Sequence, residues 1–298
     1  MKELDLIRTI REKAGRERNG LKLGIGDDCA VIDRGGSGYL LWAADMLVEN
    51  THFTAKGAGL RRVGRKAVAV NLSDIAAMGG KPLYITVSLG VPPRTHRRSL
   101  ERLYDGIMDI CGQYDVSLAG GDTVRSKELV IDVSIIGEVD ARSLVRRSGA
   151  RQGELILVTG PVRNGKRTHL DFMPRLDESA FLVKRYRPSS MIDVSDGIAP
   201  DLMRICSRSG VGCRLYADAV PLSKGLPLEE ALYYGESFEL LCTMPVRKAA
   251  AMFRYFRERG AFCPFFVAGK TVPASRGCVL VGKEGRTSPL KMEGFRHL

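Results

Sequence analysis

Short apolar runs bounded by glycine and proline alternate along this chain with longer stretches in which apolar positions return every three or four residues. The first pattern reads as buried strand and the second as amphipathic helix. MKELDLIRTIREKAG is accordingly a charged amphipathic helix, and CAVID and YLLWAAD pair as a hairpin across a GGSG turn. Residues 61–79 follow as a helix, with Leu60, Val63, Ala67, Val70 and Asn71 at helical spacing and Gly79, Gly80 and Pro82 ending it. LYITVSLGV is a strand closed by Pro92 and Pro93. A second amphipathic helix covers 97–114, with Leu100, Leu103, Ile107 and Ile110 on one side, and VSLAGG and LVIDVSIIGEV are strands on either side of Asp122.

Near residue 140 the composition turns polar and basic, in ARSLVRRSGARQGE. A chain of 298 residues exceeds one typical core. The shift therefore places a domain boundary there and predicts two domains, 1–140 and 141–298. The second opens with the strand ELILVTG and continues through a basic loop, a helix at 177–187, the strand SMIDVSDG and a helix at 198–208. Strands around GCRLYA and FELLCTMP, a helix at 246–259 and two closing strands complete it. Alternation of strands and helices in both halves predicts an α/β or α+β layered architecture.

Hydrophobic content of 44% and charged content of 27% match an ordinary soluble globular protein. No apolar stretch approaches a membrane span, and the charged first helix does not read as a signal peptide. The net charge of +12 raises a nucleic-acid-binding reading. Yet the basic residues fall in small groups, such as Arg61, Arg62, Arg65 and Lys66, and aromatics at 7% offer no stacking platform. Small anionic substrates suit such an excess equally well. Seven scattered cysteines without a CxxC pair, and only four histidines, argue against a zinc or disulfide framework and point to a reducing cytoplasm.

The chemistry lies in the acids. Asp27, Asp28, Asp45, Asp74, Asp122, Asp193 and Asp196 sit at or near the ends of apolar runs, among glycine, serine and alanine. Carboxylates crowded at strand ends repel unless a cation sits between them, and Mg²⁺ prefers hard oxygen donors that leave room for water and phosphate. The set predicts an enzyme that handles a phosphorylated nucleotide through several magnesium ions. Each motif has a plainer reading as well. GIGDD fits a surface turn, and Asp196 or Asp74 fits a helix N-cap, although Asp74 falls well inside 61–79 if that helix is continuous. On that helix Asn71, Asp74 and Met78 share a face. Ser195 is a turn former or a phosphate contact, and His52 is structural or a substrate contact. GPVRNGKRT nearly spells a Walker A loop, but Arg167 stands where the Mg²⁺-binding hydroxyl is needed and Pro174 blocks a long helix. No nucleophile-elbow pattern supports a hydrolase.

The ordered set GIGDDCAV, AADMLVENTHF, KAVAVNLSDIAAMGGKP, AGGDTVRS, RRSGARQGE, MIDVSDGIAPDL and GESFELL resembles the thiamine-monophosphate kinase family. That family belongs to the superfamily of aminoimidazole ribonucleotide synthase, selenophosphate synthetase and the hydrogenase maturation factor E. The resemblance implies a two-domain aminoimidazole ribonucleotide synthase-like fold, with an N-terminal domain whose strands form a β-barrel across a homodimer, ATP at the interface, and a C-terminal α/β domain closing the cleft. By motif position it implies Mg²⁺ ligation by Asp28, Asp45, Asp74, Asp122, Asp193 and Asp196. It further implies nucleotide contacts from Gly121, Asp122, Arg147 and Ser195, and thiamine monophosphate contacts from His52, Glu236 and Phe295. Asp74, Asp122 and Arg147 would act on the reacting phosphates. The acceptor is a phosphate oxygen already ionised at neutral pH, so the implied reaction is direct in-line γ-phosphoryl transfer giving thiamine diphosphate and ADP.

Three departures stand out. Ala43 and Ala44 precede Asp45 where the family has Ser or Thr. YGESFEL replaces GGEDYEL, with Tyr234 for a glycine and Ser237 for an aspartate. The stretch between Thr159 and Ser190 is shorter than in many relatives. These leave room for a superfamily member with another acceptor, or for a weak binder of nucleotide or thiamine phosphates.

Overall fold

The computed structural model describes residues 3–15, 20–54, 59–163 and 169–294. In the first half lie α1 (Glu3–Ala14), β1 (Leu21–Leu23), β2 (Ala30–Asp33), β3 (Gly38–Val48), α2 (Leu60–Ala77), β4 (Lys81–Val91), α3 (Arg97–Gln113), β5 (Ser117–Arg125) and β6 (Val130–Asp140). The second half holds β7 (Leu155–Thr159), α4 (Leu176–Arg185), β8 (Ser190–Asp193), α5 (Ile198–Ser209), β9 (Val211–Tyr216), α6 (Leu228–Tyr233), β10 (Leu240–Met244), α7 (Val246–Glu258), β11 (Phe265–Pro273), β12 (Cys278–Val281) and β13 (Thr287–Pro289). The short β1, α6 and β13 have no counterpart in the sequence reading. They are too brief to leave a periodic signature.

Two mixed sheets form the scaffold. The first runs β1-β2-β3-β6-β4-β5, with only β4–β5 parallel. The second runs β13-β12-β9-β11-β7-β10-β8, with only β9–β12 parallel. The predicted hairpin closes with Ala30 opposite Trp42. Asp122, expected on a tight turn, instead lies inside β5, because pairing with β4 continues through Ser88–Asp122 to Val91–Arg125.

Helix α2 packs on the inner face of the first sheet, and 13 of its 18 residues are buried. Its apolar residues face the strands on one side and α3 on the other, so it is core nearly all round. The α2–α3 crossing is closed by glycine. A Cβ on Gly64 would stand 2.0 Å from the Leu103 carbonyl oxygen, and one on Gly106 would stand 1.8 Å from that of Arg61. The same apolar cluster continues through Leu157, Met191, Leu240 and Cys242 onto one face of the second sheet. Residues of opposite parity, Ile156, Val158 and Leu241, pack beneath Ile198, Leu202 and Ile205 of α5. The outer face of the first sheet is uncovered in a single chain. Trp42, Met46, Tyr84 and Val124 are each at least half exposed there.

Gly64→Val should cost at least about 1–3 kcal/mol by overpacking the helix crossing. Urea unfolding would read this, and wild-type stability would show that the two helices can separate without penalty.

Candidate active site

On a helix, residues four apart share a face. Lys66, Val70 and Asp74 thus form a stripe on α2, and all three line a cavity of about 450 Å³ to which both halves of the chain contribute. Asn71 and Met78, expected on the Asp74 face, are buried instead, and Asn71 Nδ2 donates to the Ala67 carbonyl at 3.0 Å. Asp74 lies inside the helix, which excludes an N-capping role.

At one end of the cavity three carboxylates from remote segments converge. Asp28, Asp74 and Asp193 each place an oxygen within 4.8 Å of the others. Asp193 ends β8 and accepts a hydrogen bond from Ser73 Oγ at 2.7 Å. Asp28 Oδ1 accepts from Arg147 Nη2 at 2.7 Å and Nε at 3.3 Å. Its other oxygen, Oδ2, is buried with no hydrogen-bond partner. The electrostatics follow from this crowding. Burial first, then Asp45, Asp193 and Asp28, push the Asp74 carboxyl well above its ordinary range. Burial and then Asp28 do the same to Asp193. Burial and Asp28 also raise Asp27 to about 6, although its Oδ1 accepts the Arg147 amide at 3.1 Å. Burial opposes the Arg147 charge, but Asp28, Asp27 and Asp193 outweigh it and hold the guanidinium firmly protonated. Asp45 lines the same end from β3. Hard oxygen donors around an unsatisfied buried carboxylate oxygen fit Mg²⁺.

The remaining acids fall elsewhere. Asp196 lines the cavity but pairs with Arg204, which also binds Asp201. It is not the N-cap of α5, a position taken by Gly197. Asp201 reaches back from the first turn to accept the amides of Asp196 at 3.0 Å and Gly197 at 3.2 Å. Gly121 and Asp122 lie on exposed β5, away from the cluster. The row from Asp45 through Val133 and Val87 to Gly121 crosses three strand spacings, or about 14 Å. Glycine at 121 has a structural cause there, since a Cβ would stand 1.8 Å from the Val87 carbonyl oxygen.

The other end of the cavity holds His52, Lys66, Glu236 and Phe238. Lys66 is fully buried and ion-paired to Glu236, with Nζ also 2.7 Å from His169 Nδ1 and 3.3 Å from the His52 carbonyl. Burial lowers the Lys66 pKa, and Glu236 partly restores it. His52 Nδ1 accepts the Val48 amide at 3.0 Å, so a neutral ring carries its proton on Nε2. Phe238 stacks on Phe172 at 4.2 Å between centroids and forms an apolar wall. Ser195 lines the cavity, and its carbonyl accepts the Glu236 amide at 2.7 Å. Phe295 and Lys166 lie outside the described residues. Among the described residues the first helix after the Walker-like stretch, α4, starts only at Leu176.

Lys66, Arg204, Arg208 and Phe238 carry no site role in the sequence expectations. The sequence groups Lys66 with Arg61, Arg62 and Arg65 as one small basic cluster. In the fold Arg61 pairs with Asp109, Arg62 with Asp171, and Arg65 donates to the Phe172 carbonyl, while Lys66 turns inward. Its four-residue spacing to Val70 and Asp74 is the signal that could have found it. Arg208 Nη2 donates to the Gly26 carbonyl at 2.7 Å and so pins the GIGDD turn.

Comparison with known proteins places this geometry. The family model for the N-terminal domain of AIR synthase related proteins matches residues 26–139, and that for the C-terminal domain matches residues 143–282. The chain is 31% identical to thiamine-monophosphate kinase of Bacillus subtilis (strain 168), over 82% of this chain and 84% of the relative. It is also 31% identical to thiamine-monophosphate kinase of Escherichia coli (strain K12), over 99% and 98% of the two chains. AaThiL, solved in complex with AMPPCP and TMP, superimposes with a TM-score of 0.85 at 28% identity, covering 100% of this chain and 97% of that one. Escherichia coli HypE, at 16% identity and a TM-score of 0.72, shares the fold.

Lys66→Met strands Glu236 without its buried partner and should destabilise the protein by about 3–5 kcal/mol. Adding Glu236→Leu should recover much of that loss in a thermal-unfolding double-mutant cycle. Strictly additive losses would show that the pair is not coupled.

Proposed function

The chain belongs to the thiamine-monophosphate kinase family, and from that membership we propose how its own residues carry ATP-dependent phosphorylation of thiamine monophosphate to thiamine diphosphate. The reacting phosphates occupy the Asp28–Asp74–Asp193 end of the cavity, and the thiamine moiety occupies the His52–Phe238 end. The convergence of three carboxylates around a buried, unpaired Asp28 oxygen carries this reading. The relative solved with AMPPCP and TMP supports the same pair of ligands.

Asp28, Asp74 and Asp193, with Asp45 and Asp196 at the cavity wall, would hold several Mg²⁺ ions, which when bound screen the repulsion between ATP and the acceptor phosphate. Arg147 keeps its charge beside these acids, where it can stabilise phosphate oxygens while its Nε and Nη2 hold Asp28. No side chain needs to remove a proton, because the acceptor oxygen is already ionised, and in-line transfer is the economical route. Ser195 presents its hydroxyl at the turn before α5 as a nucleotide contact. At the far end, Lys66 holds Glu236 in place, and the carboxylate with the Phe238–Phe172 stack suits a cationic thiazolium ring. His52 offers its Nε2 proton to the substrate, and Phe295 is a further substrate contact. Of the family departures, Ala44 lines the cavity without a hydroxyl. Ser237 is buried and donates to the Val194 carbonyl, so that replacement is spent on the turn.

A homodimer completes the reading. A second copy covering Trp42, Met46, Tyr84 and Val124 would bury an apolar face that a monomer leaves in water. Strands of the two copies would close a barrel, and Gly121 and Asp122, on the open face and edge, would serve the nucleotide within that assembly. The domains 1–140 and 141–298 then divide the labour, the first holding metal and nucleotide and the second closing the cleft. Seven free cysteines suit a reducing cytoplasm.

Purified protein with Mg-ATP and thiamine monophosphate should yield thiamine diphosphate and ADP, whereas nucleotide binding without product would make the chain a silent binder. Asp74→Asn should lower kcat on the order of 10²-fold or more and remove the Mg²⁺-dependent rise in Tm; wild-type turnover would exclude Asp74 from the site. Trp42→Glu should convert a sedimenting dimer to a monomer, and a wild-type monomer at assay concentration would refute the shared barrel.

A further inference from the structure

Three cysteines with no part in the cavity meet elsewhere in the second half. Cys206 of α5, Cys213 of β9 and Cys278 of β12 each place a sulfur within 4.8 Å of the other two. The parallel pairing of β9 and β12 sets Cys213 directly opposite Cys278. Helix α5 packs against β8 and β9 and delivers Cys206 to that pair. Cys206 and Cys213 are buried, and half-buried Cys278 gives access from solvent.

A lone buried cysteine is ordinary apolar filling. Three sulfurs in mutual contact from three separate elements are not, and no other cysteines among the described residues assemble this way. Among the described residues no histidine or carboxylate joins the group. We propose that Cys206, Cys213 and Cys278 form a three-coordinate thiolate site for a soft d¹⁰ cation of the Cu(I) or Cd(II) kind. Thiolates select soft cations, whereas the carboxylate cluster selects Mg²⁺, so the two centres do not compete. Structural zinc takes four protein ligands, one more than this site supplies. Each metal–sulfur bond releases that thiol's proton to solvent, and no oxidation state changes. The site is tied to the cavity by α5 itself, whose Arg204, Ser207 and Arg208 line it. This inference stands apart from the phosphate chemistry.

The test uses the full-length protein, reduced and then freed of reductant under nitrogen, titrated with CdCl₂ in excess Mg²⁺. A thiolate-to-cadmium charge-transfer band saturating at one equivalent is expected, together with a rise in Tm. Both should disappear in Cys206→Ala and in Cys278→Ser and persist in Cys263→Ser, a half-buried cysteine outside the group. Cadmium should also protect Cys278 from alkylation in the unmutated protein, mapped by mass spectrometry, which needs no variant to fold. Absence of the band, its survival in both variants, or unchanged alkylation of Cys278 would overturn the site.

Discussion

Three carboxylates are held closer together than their charges favour, and the rest of the cavity answers that imbalance. At 4.8 Å or less between oxygens of Asp28, Asp74 and Asp193, each ionised pair repels by about 3 kcal/mol at an effective dielectric of about 20. Three such pairs exceed what one guanidinium and one serine hydroxyl offset, because Arg147 bonds only Asp28 and Ser73 bonds only Asp193. Burial first, and then these neighbouring acids, raise the carboxyls of Asp74 and Asp193, so the deficit also appears as affinity for a proton. A divalent cation satisfies it better, since it meets several oxygens at once. The three carboxylates by themselves leave that repulsion uncompensated.

Such an arrangement persists because its members stand on rigid elements. Asp74 sits in a helix buried on nearly every side, and Asp193 is fixed by β8 and Ser73. Arg147 grips Asp28 from the second half, while Arg208 grips the turn before it. The ion pair of Lys66 and Glu236 joins the two halves again at the opposite end. Lys66 and Asp74 lie eight residues apart on one straight helix, which sets the two ends of the cavity about 12 Å apart. That spacing suits a substrate with a phosphate at one end and an aromatic cation at the other. Helix α2 is thus both core and ruler.

Most long elements were legible in the sequence, because their apolar periods matched what the fold buries. The helix at 61–79 and the hairpin through YLLWAAD needed no tertiary information. The errors came where local pattern and tertiary demand part. Asp122 looked like a turn residue because GGD is turn-like, yet β4 recruits those glycines as strand. Asp196 looked like an N-cap, but Asp201 caps the helix from inside and Arg204 claims Asp196. Lys66 reads as one member of a basic cluster among arginines, and only its partner Glu236, 170 positions away, explains its burial. Long-range pairing leaves no local trace, so ion pairs and thiol contacts were the features a linear reading missed.

Helix α5 shows how one element serves two unlike chemistries. Its Arg204, Ser207 and Arg208 face the cavity, and Leu202, Ile205 and Cys206 face the second sheet. Offsets of three and four residues generate both faces from a single run of sequence. Carboxylate oxygens gather on the first side, soft sulfur on the second. A helix moves as a unit, so whatever tightens the sulfur side against β9 and β12 also fixes Arg204 beside Asp196 and Arg208 over the Gly26 turn. The geometry of the acidic cluster therefore rests on contacts made at the back of a helix that supplies none of its three carboxylates.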